Sequence, residues 1–579
     1  MRILLLHPDD SPEHGPWCGQ NWDQVIDLGK AGSDFYPRTA RQFGCPVVPL
    51  ESLRIGVEDF QRVREIFDAG RNRLLDAEGL DWWELTAIFF HQQIELLGIL
   101  RRFAERLERR DEVYITRPAF YADVLQFLLG DQTQVLSSRI FSNRSVLRYV
   151  RTAARFSIAQ LAEIFWDKYD SHYVLRRRFT AGRKPSCNPV VLLPSAYVNA
   201  SRMAIAYARA VPEMDFLLVA TRRSGWLAEP SANVAVAKLA SYARDEAFTR
   251  RECDELSVQW RHVRTDLESI PEIAMLGRLG LLDSFAILLR QGLAIRDAWR
   301  QVFETEPVRA VLCGDDSNPY TRIPLLLARN RGIPAITCHH GALDGGHLFK
   351  QSYADIILAK GGMEEDYLVR VCGVPEDKVE IGAPGRSPAV HVQRDRDKAR
   401  FITFFSEPYE VASARTGEFY RDLLPRLADL ALKTGRKLVV KLHPFESRWE
   451  RKRLIKKVLS REQQAITTFV SGTLSDDLLE KTWAGITVLS TAATECAARG
   501  IPCFLCGWLE YSHYGYIEQF EKFGVGQVLR SPEEIAEIPQ LIGHFRQPAV
   551  AGNLWQPIRN GRLQELFSSA AKYDHAFAS

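Results

Sequence analysis

"ARFITFFSEP" (399–408) opens the stretch that decides the fold: a short aliphatic and aromatic run gives way to Phe419, Leu423, Leu427, Leu430 and Ala431 on one helical face, ending at Gly435. "KLVVKLHP" (437–444) is a second such run, and a basic helix over 446–462 follows it. Then come "AITTFVSG" (465–472), a short helix at "LSDDLLEKT" (474–482), "AGITVLS" (484–490), a helix at "TAATECAARG" (491–500) and the run "IPCFLCG" (501–507). Strand and helix alternate throughout, which is the pattern of a parallel sheet covered by helices. Upstream, "NPVVLLPSAY" (188–197), "DFLLVATRR" (215–223), "RAVLCGDD" (309–316), "PAITCHHG" (334–341) and "ADIILAKG" (354–361) read as strands of a second sheet. "RILLLHP" (2–8), "CPVVPL" (45–50) and "DEVYITRP" (111–118) point to a further α/β layer.

The expected fold class is therefore α/β: two doubly wound parallel-sheet, Rossmann-like domains with a cleft between them, plus an extra N-terminal α/β region. The expected division is an N-terminal α/β domain at 1–140, a helical connector at 141–188 ending in the basic "RRRFTAGRK", a first lobe at 189–397 and a second at 398–579. A chain of 579 residues suits such a count, at about 100–200 residues per domain. Hydrophobic residues at 46% and charged residues at 25% exclude a mostly disordered or fibrous chain. Lys and Arg total 75 against 72 Asp and Glu, so the net charge of +3 gives no bulk reason to expect nucleic acid as a partner. Anion binding must be local.

The ten cysteines fall mostly in apolar runs and read as reduced, buried thiols, which places the chain in the cytosol. Cys503 and Cys506 form a CxxC within a strand-like run, and no second pair completes a zinc set. The apolar run at the N-terminus is too short for a signal peptide, and the greasiest stretch, 82–100, carries Glu84, His91 and Glu95, so it reads as a buried or interfacial helix rather than a span. The basic helix holds seven Lys or Arg against three Glu. Peripheral contact with the inner membrane face is one reading of it; the simpler one packs Leu454, Ile455, Val458 and Leu459 inward and solvates the charges.

Open α/β sheets bind ligands beyond the carboxyl ends of their strands, so polar residues there are candidates for chemistry. Lys441, His443 and Pro444 end one strand, where an imidazole can donate to a phosphate. Ser490, Thr491 and Thr494 stand at a strand-to-helix junction beside free backbone N–H groups, with Glu495 placed to accept from ribose hydroxyls; a plain helix cap is the competing reading. Asp315 and Asp316 follow "RAVLCG", and His339, His340 and Gly341 follow "PAITC". These carboxylates and imidazoles are candidate general bases, although one of the aspartates can equally cap the helix that Pro319 begins. If both histidines continue the strand they alternate sides, so one alone faces the ligand, and His340, beside the glycine, is preferred. Gly341, Gly345 and Gly346 permit close approach of a ligand to backbone.

The layout over residues 190–560 resembles the GT-B glycosyltransferase fold. "KLHP" with "LST" resembles the His-Pro and Ser/Thr motifs of bacterial sialyltransferases and Kdo transferases, which use CMP-activated acid sugars. "CHHG" followed by "KLHP" also resembles the CDP-glycerol glycerophosphotransferases of wall teichoic acid synthesis. "CGDD", "RGIPAITCHHG" and "GVPEDKVEIGAPG" in series are similar to the non-hydrolysing UDP-N-acetylglucosamine 2-epimerases. The sialyltransferase acid-acid-Gly motif is absent as such, and the epimerase Ser-Gly-Gly loop is "LSTAAT" here. The resemblance implies a nucleotide-activated donor whose phosphate is held by His443 and Ser490–Thr491, with Asp315, Asp316 or His340 as the base. It implies a glycosyltransferase with a CMP-sugar donor and a glycan or lipid-linked acceptor in surface polysaccharide synthesis, working by direct displacement with no cofactor and no essential metal, although Asp315–Asp316 leaves a divalent ion open. The alternatives are a CDP-glycerol-type glycerophosphotransferase, an epimerase-like enzyme and a non-catalytic scaffold. The sequence gives no oligomeric state.

Overall fold

The computed structural model describes the chain apart from residues 8–9, 11, 29–36, 50–56, 88–89, 118–119, 137–184, 223–224, 226–227, 244–246, 317–318, 342, 344–349, 351–353, 386–398, 408–415, 444–445, 473, 489, 509–515, 546–552, 560 and 569–579. Most of the expected connector at 141–188 lies outside the described residues, as do Pro444, Gly345 and Gly346.

By its contacts the chain divides into two compact units: residues 1–59, 96–140 and 388–554 form the first, and residues 60–95, 141–387 and 555–579 the second. The first unit holds two sheets. One comprises β1 (Arg2–Leu6), β2 (Gln24–Asp27), β3 (Val47–Pro49), β4 (Glu112–Ile115) and β5 (Thr133–Val135), in the order β3-β2-β1-β4-β5. The second unit holds β6 (Val190–Ser195), β7 (Asp215–Ala220), β8 (Val234–Lys238), β9 (Val308–Cys313), β10 (Ala335–Cys338), β11 (Ile356–Ala359) and β12 (Val379–Ile381), ordered β12-β11-β10-β9-β6-β7-β8. The other sheet of the first unit is β13 (Phe401–Phe405), β14 (Lys437–Lys441), β15 (Thr467–Val470), β16 (Thr482–Thr487), β17 (Cys503–Cys506) and β18 (Gln527–Leu529), ordered β15-β14-β13-β16-β17-β18. Every pairing between these strands is parallel. The expected α/β class is observed: two Rossmann-like sheets and the additional N-terminal α/β layer.

Central strands form where the sequence offers continuous apolar runs, because helices cover both faces of a parallel sheet; all six residues of β6 are buried. The edge strands β5, β8, β12 and β18 are half-exposed and carry no such run, which is why the sequence pattern passes over them. In each sheet the chain order turns at its first strand, so the crevice beyond the strand ends opens at β1/β4, β6/β9 and β13/β16.

Three expectations are corrected. The stretch 82–100 is two helices, Trp82–Ala87 and His91–Glu105. The first is pinned by its tryptophans: the Trp82 ring lies where a side chain on Gly292 would be, and its indole N–H donates to Asp76 at 2.9 Å. The basic helix is also two, Arg448–Val458 and Arg461–Ala465, because Ser460 and Gln463 form a capping box that starts the chain afresh. Its Ile455 and Leu459 are buried and Leu454 and Val458 pack beside them, as expected. The helix Arg562–Ser568, expected with the last sheet, belongs with the middle one, whose core Leu563, Leu566 and Phe567 enter.

Residues 60–95 also belong to the second unit. Arg296, with its side chain buried, pairs with Asp76 at 2.8 Å, Glu252 at 2.6 Å and Asp297 at 2.6 Å, and so ties that segment to the helix Phe285–Thr305. Cys503 and Cys506 are buried free thiols three residues apart on β17, and such spacing turns them to opposite faces. Among the described residues no helix is long and apolar enough to cross a membrane.

Candidate functional site

The middle sheet gathers its polar side chains at the β6/β9 switch point. Gly314, directly after β9, passes so close to the helix Val198–Arg209 that a Cβ there would stand 2.3 Å from the carbonyl oxygen of Ala200. The chain then delivers Asp315, 1% exposed, to the end of the strand. His340 Nδ1 lies 3.8 Å from the Asp315 carboxylate and 3.1 Å from the hydroxyl of Tyr197, which follows β6; the Tyr197 and His340 rings meet edge to face at 5.0 Å. β10 ends at Cys338, so neither histidine is a strand residue and the expected alternation does not hold. Both imidazoles approach Asp315: one ligating atom from each of Asp315, His339 and His340 lies within 4.8 Å of the others. Asp316 is turned elsewhere, accepting from Lys350 Nζ at 2.8 Å in a buried ion pair.

The loop that carries the histidines is fixed from β11. Lys360 Nζ donates to the carbonyl oxygens of His339 at 2.9 Å and Gly341 at 3.3 Å, while Glu364 balances its charge at 2.7 Å. Nothing in the local sequence marks Tyr197 or Lys360 as part of this site, because Tyr197 meets His340 across 143 residues and Lys360 reaches His339 across 21.

In the last sheet, β14 ends at Lys441 and delivers His443 two residues later. The Lys441 ammonium, buried and pushed down in pKa mainly by loss of hydration, donates to the carbonyl oxygens of Leu442 at 2.9 Å and Gly472 at 2.7 Å. Two of its three N–H groups are thus engaged, and the one to Gly472 staples β14 to the turn after β15, where the sequence suggested a phosphate contact. The backbone N–H of His443 donates to Glu446 at 2.7 Å, and the same carboxylate accepts from Ser406 Oγ at 2.8 Å and Arg451 Nε at 2.6 Å. Glu446, which the sequence reading left on a solvated helix, is therefore a buried hub joining β13, β14 and the helix Arg448–Val458. Burial, reinforced by the Lys441 charge, lowers the His443 pKa below its ordinary value, so the imidazole is neutral at pH 7 and offers one N–H donor.

β16 leads to Ser490 and Thr491. Ser490 Oγ accepts from the backbone N–H of Ala492 at 3.3 Å, a turn contact made one residue ahead of the helix cap. Thr491 precedes the seven-residue helix Ala492–Ala498 and its side chain makes no capping bond. Glu495 is paired with Arg499 at 2.5 Å, and Arg499 with Asp476 at 2.8 Å, rather than held open for a ribose. β14 and β16 both pair with β13, so the His443 and Ser490–Thr491 ends are two strand spacings apart, roughly 10 Å along the sheet edge. Between them, at the end of β13, the buried Glu407 accepts from Thr487 Oγ1 at 3.3 Å.

These features define a class: an α/β protein with doubly wound parallel sheets whose titratable side chains collect at the strand ends where such sheets bind ligands. No family model matches the chain, and no curated protein matches it. Solved structures do match. The wall teichoic acid polymerase TagF is 10% identical, covering 74% of this chain and 97% of its own at a TM-score of 0.39. UDP-GlcNAc 2-epimerase from Neisseria meningitidis, bound to UDP-GlcNAc, is 13% identical, covering 61% and 92% at 0.38. MurG of Acinetobacter baumannii is 12% identical, covering 67% and 95% at 0.34. Likeness of this degree assigns neither an activity nor a residue role to this chain.

Proposed function

We propose that the protein is a glycosyltransferase that moves a sugar from a nucleotide-activated donor, of the CMP-sugar type, to a hydroxyl of a glycan or lipid-linked acceptor in surface polysaccharide synthesis, in the cytosol and at the inner face of the membrane. The observation that carries this reading is the Asp315–His340–Tyr197 group, a buried carboxylate beside an imidazole at the switch point of a doubly wound sheet. His340 takes the proton of the acceptor hydroxyl, and Asp315 stabilises the imidazolium that results. The hydroxyl oxygen bonds to the anomeric carbon as the bond from that carbon to the donor's phosphate oxygen breaks. The leaving phosphate gains charge that the His443 N–H and the Thr491 hydroxyl stabilise, and no step requires a metal. Ser490 contributes backbone shape, its hydroxyl being engaged by the Ala492 N–H.

The test has two parts. In a thermal-shift panel of CMP, CDP, UDP, GDP and dTDP, the cytidine nucleotides raise the melting point, since a ligand at 100 times its Kd stabilises by about 2.7 kcal/mol. His443→Ala removes that shift, whereas His340→Ala keeps it and loses transfer. A response to UDP alone would make this a hexose or N-acetylhexosamine transferase. Phosphorus in the product would indicate a glycerophosphotransferase, and turnover without acceptor an epimerase. Cellular function surviving His443→Ala would leave a scaffold.

A further inference from the structure

At the β6/β9 switch point the proposed transfer uses one imidazole, yet two converge on the buried carboxylate. We infer that Asp315, His339 and His340 bind one divalent cation of the zinc class through two ring nitrogens and a carboxylate oxygen. Two imidazoles and one carboxylate suit a borderline cation, whereas magnesium and calcium take oxygen ligands. Three protein ligands leave a fourth position for water.

The outer contacts fit. His339 Nδ1 is held by the Gly341 backbone, 3.1 Å from its carbonyl oxygen and 3.2 Å from its nitrogen; in the tautomer that donates to the carbonyl, Nε2 carries the lone pair for a metal. His340 presents Nδ1 on the side of Asp315, and the Tyr197 hydroxyl at 3.1 Å from the same nitrogen gives way when a cation binds there. Lys360 fixes the backbone of the loop through its two carbonyl contacts. In a tetrahedral shell with bonds of about 2.0–2.1 Å, ligand atoms stand about 3.3 Å apart. His340 Nδ1 and Asp315 Oδ2 already lie 3.8 Å apart, and both imidazoles are partly exposed, so rotation of their rings closes the shell. The inference shares Asp315 and His340 with the transfer reading: a bound cation occupies the carboxylate and the lone pair that takes the acceptor's proton, so occupancy suppresses transfer.

Cobalt(II) is the probe, because three of the ten free cysteines are not buried and thiols also take zinc. The full-length protein, titrated with Co2+ in the absence of donor and acceptor, should bind one equivalent with visible d–d bands and no thiolate-to-cobalt charge transfer, and Zn2+ should displace it. His339→Ala and Asp315→Asn should each lose the equivalent while melting as a folded protein. Because Asp315 is buried and its variant can unfold, His339→Ala, at a partly exposed loop residue, is decisive by itself. Binding unchanged in His339→Ala, a spectrum dominated by thiolate charge transfer, or no stoichiometric binding would overturn the inference. None of these results depends on whether a nucleotide donor is found, so the two proposals fail separately.

Discussion

Replacing Glu446 with alanine is the sharpest probe of how the last sheet holds His443. The carboxylate has 0% of its side chain exposed, and Arg451, its partner at 2.6 Å, only 6%. Truncation takes this counter-charge from the buried Arg451 guanidinium and this acceptor from the His443 N–H and from Ser406 Oγ, which keeps its bond with the Tyr420 hydroxyl. Removing one partner of a buried pair costs about 3–5 kcal/mol, largely through the stranded charge. For a unit of this size, at roughly 2–4 °C per kcal/mol, the melting transition should fall by about 6–20 °C. The control is the double variant Glu446→Ala/Arg451→Met, which removes the stranded charge and should recover much of the loss. Differential scanning calorimetry of the full chain, with tryptophan fluorescence as a second probe, measures both variants. A loss under about 1 kcal/mol for Glu446→Ala, the level of an exposed pair, would refute the assignment of a buried hub. So would a double variant no more stable than the single one.

Two further outcomes follow from the same structure. Because the His443 pKa is lowered by folding, the unfolded chain binds more protons than the native one below about 6.5, so this residue's contribution to stability is full above that pH and is lost as pH falls; His443→Gln should flatten that part of a urea-unfolding pH profile, and an unchanged slope would show that the imidazole titrates as in the open chain. Gly314→Ala forces a Cβ to within 2.3 Å of the Ala200 carbonyl oxygen, a backbone atom that cannot rotate away; a destabilisation of about 1–3 kcal/mol or more is expected on chemical denaturation, and wild-type stability would mean that the helix Val198–Arg209 does not approach so closely.

How much of this was legible in the sequence depended on whether the information was local. β6, β9, β13 and β14 are continuous apolar runs because both their faces are covered, and each run stops where the strand stops. That stop exposed Asp315, His340, His443 and Ser490 as candidates, since polar residues interrupt the pattern at the ligand-binding edge. A single residue of boundary error was nevertheless enough to mislead: once β10 ends at Cys338, the period of two no longer applies to His339 and His340, and both can turn to the same carboxylate. Lys441 and Glu495 have partners that the sequence did not show. A charged side chain takes the nearest partner, and the carbonyl oxygen of Gly472 and the guanidinium of Arg499 meet them at hydrogen-bond distance.

The residues that escaped the sequence reading share one physical cause. Tyr197 meets His340 across 143 residues, Ser406 meets Glu446 across 40, and Lys360 reaches His339 across 21. Each contact is tertiary, made because a buried polar group must find a partner, and no spacing rule encodes which one it finds. These hidden partners give the two strand-end clusters different chemistry. The middle sheet presents lone pairs, from two imidazoles and a carboxylate, and so accepts a proton or a cation. The last sheet presents hydrogen-bond donors, because Glu446 holds the backbone of His443 while burial and the Lys441 charge keep its ring neutral. In the proposed transfer the anion settles against the donors of the last sheet, where the Glu407 carboxylate at the end of β13 is engaged by Thr487 Oγ1, and the proton goes to the lone pairs of the middle one.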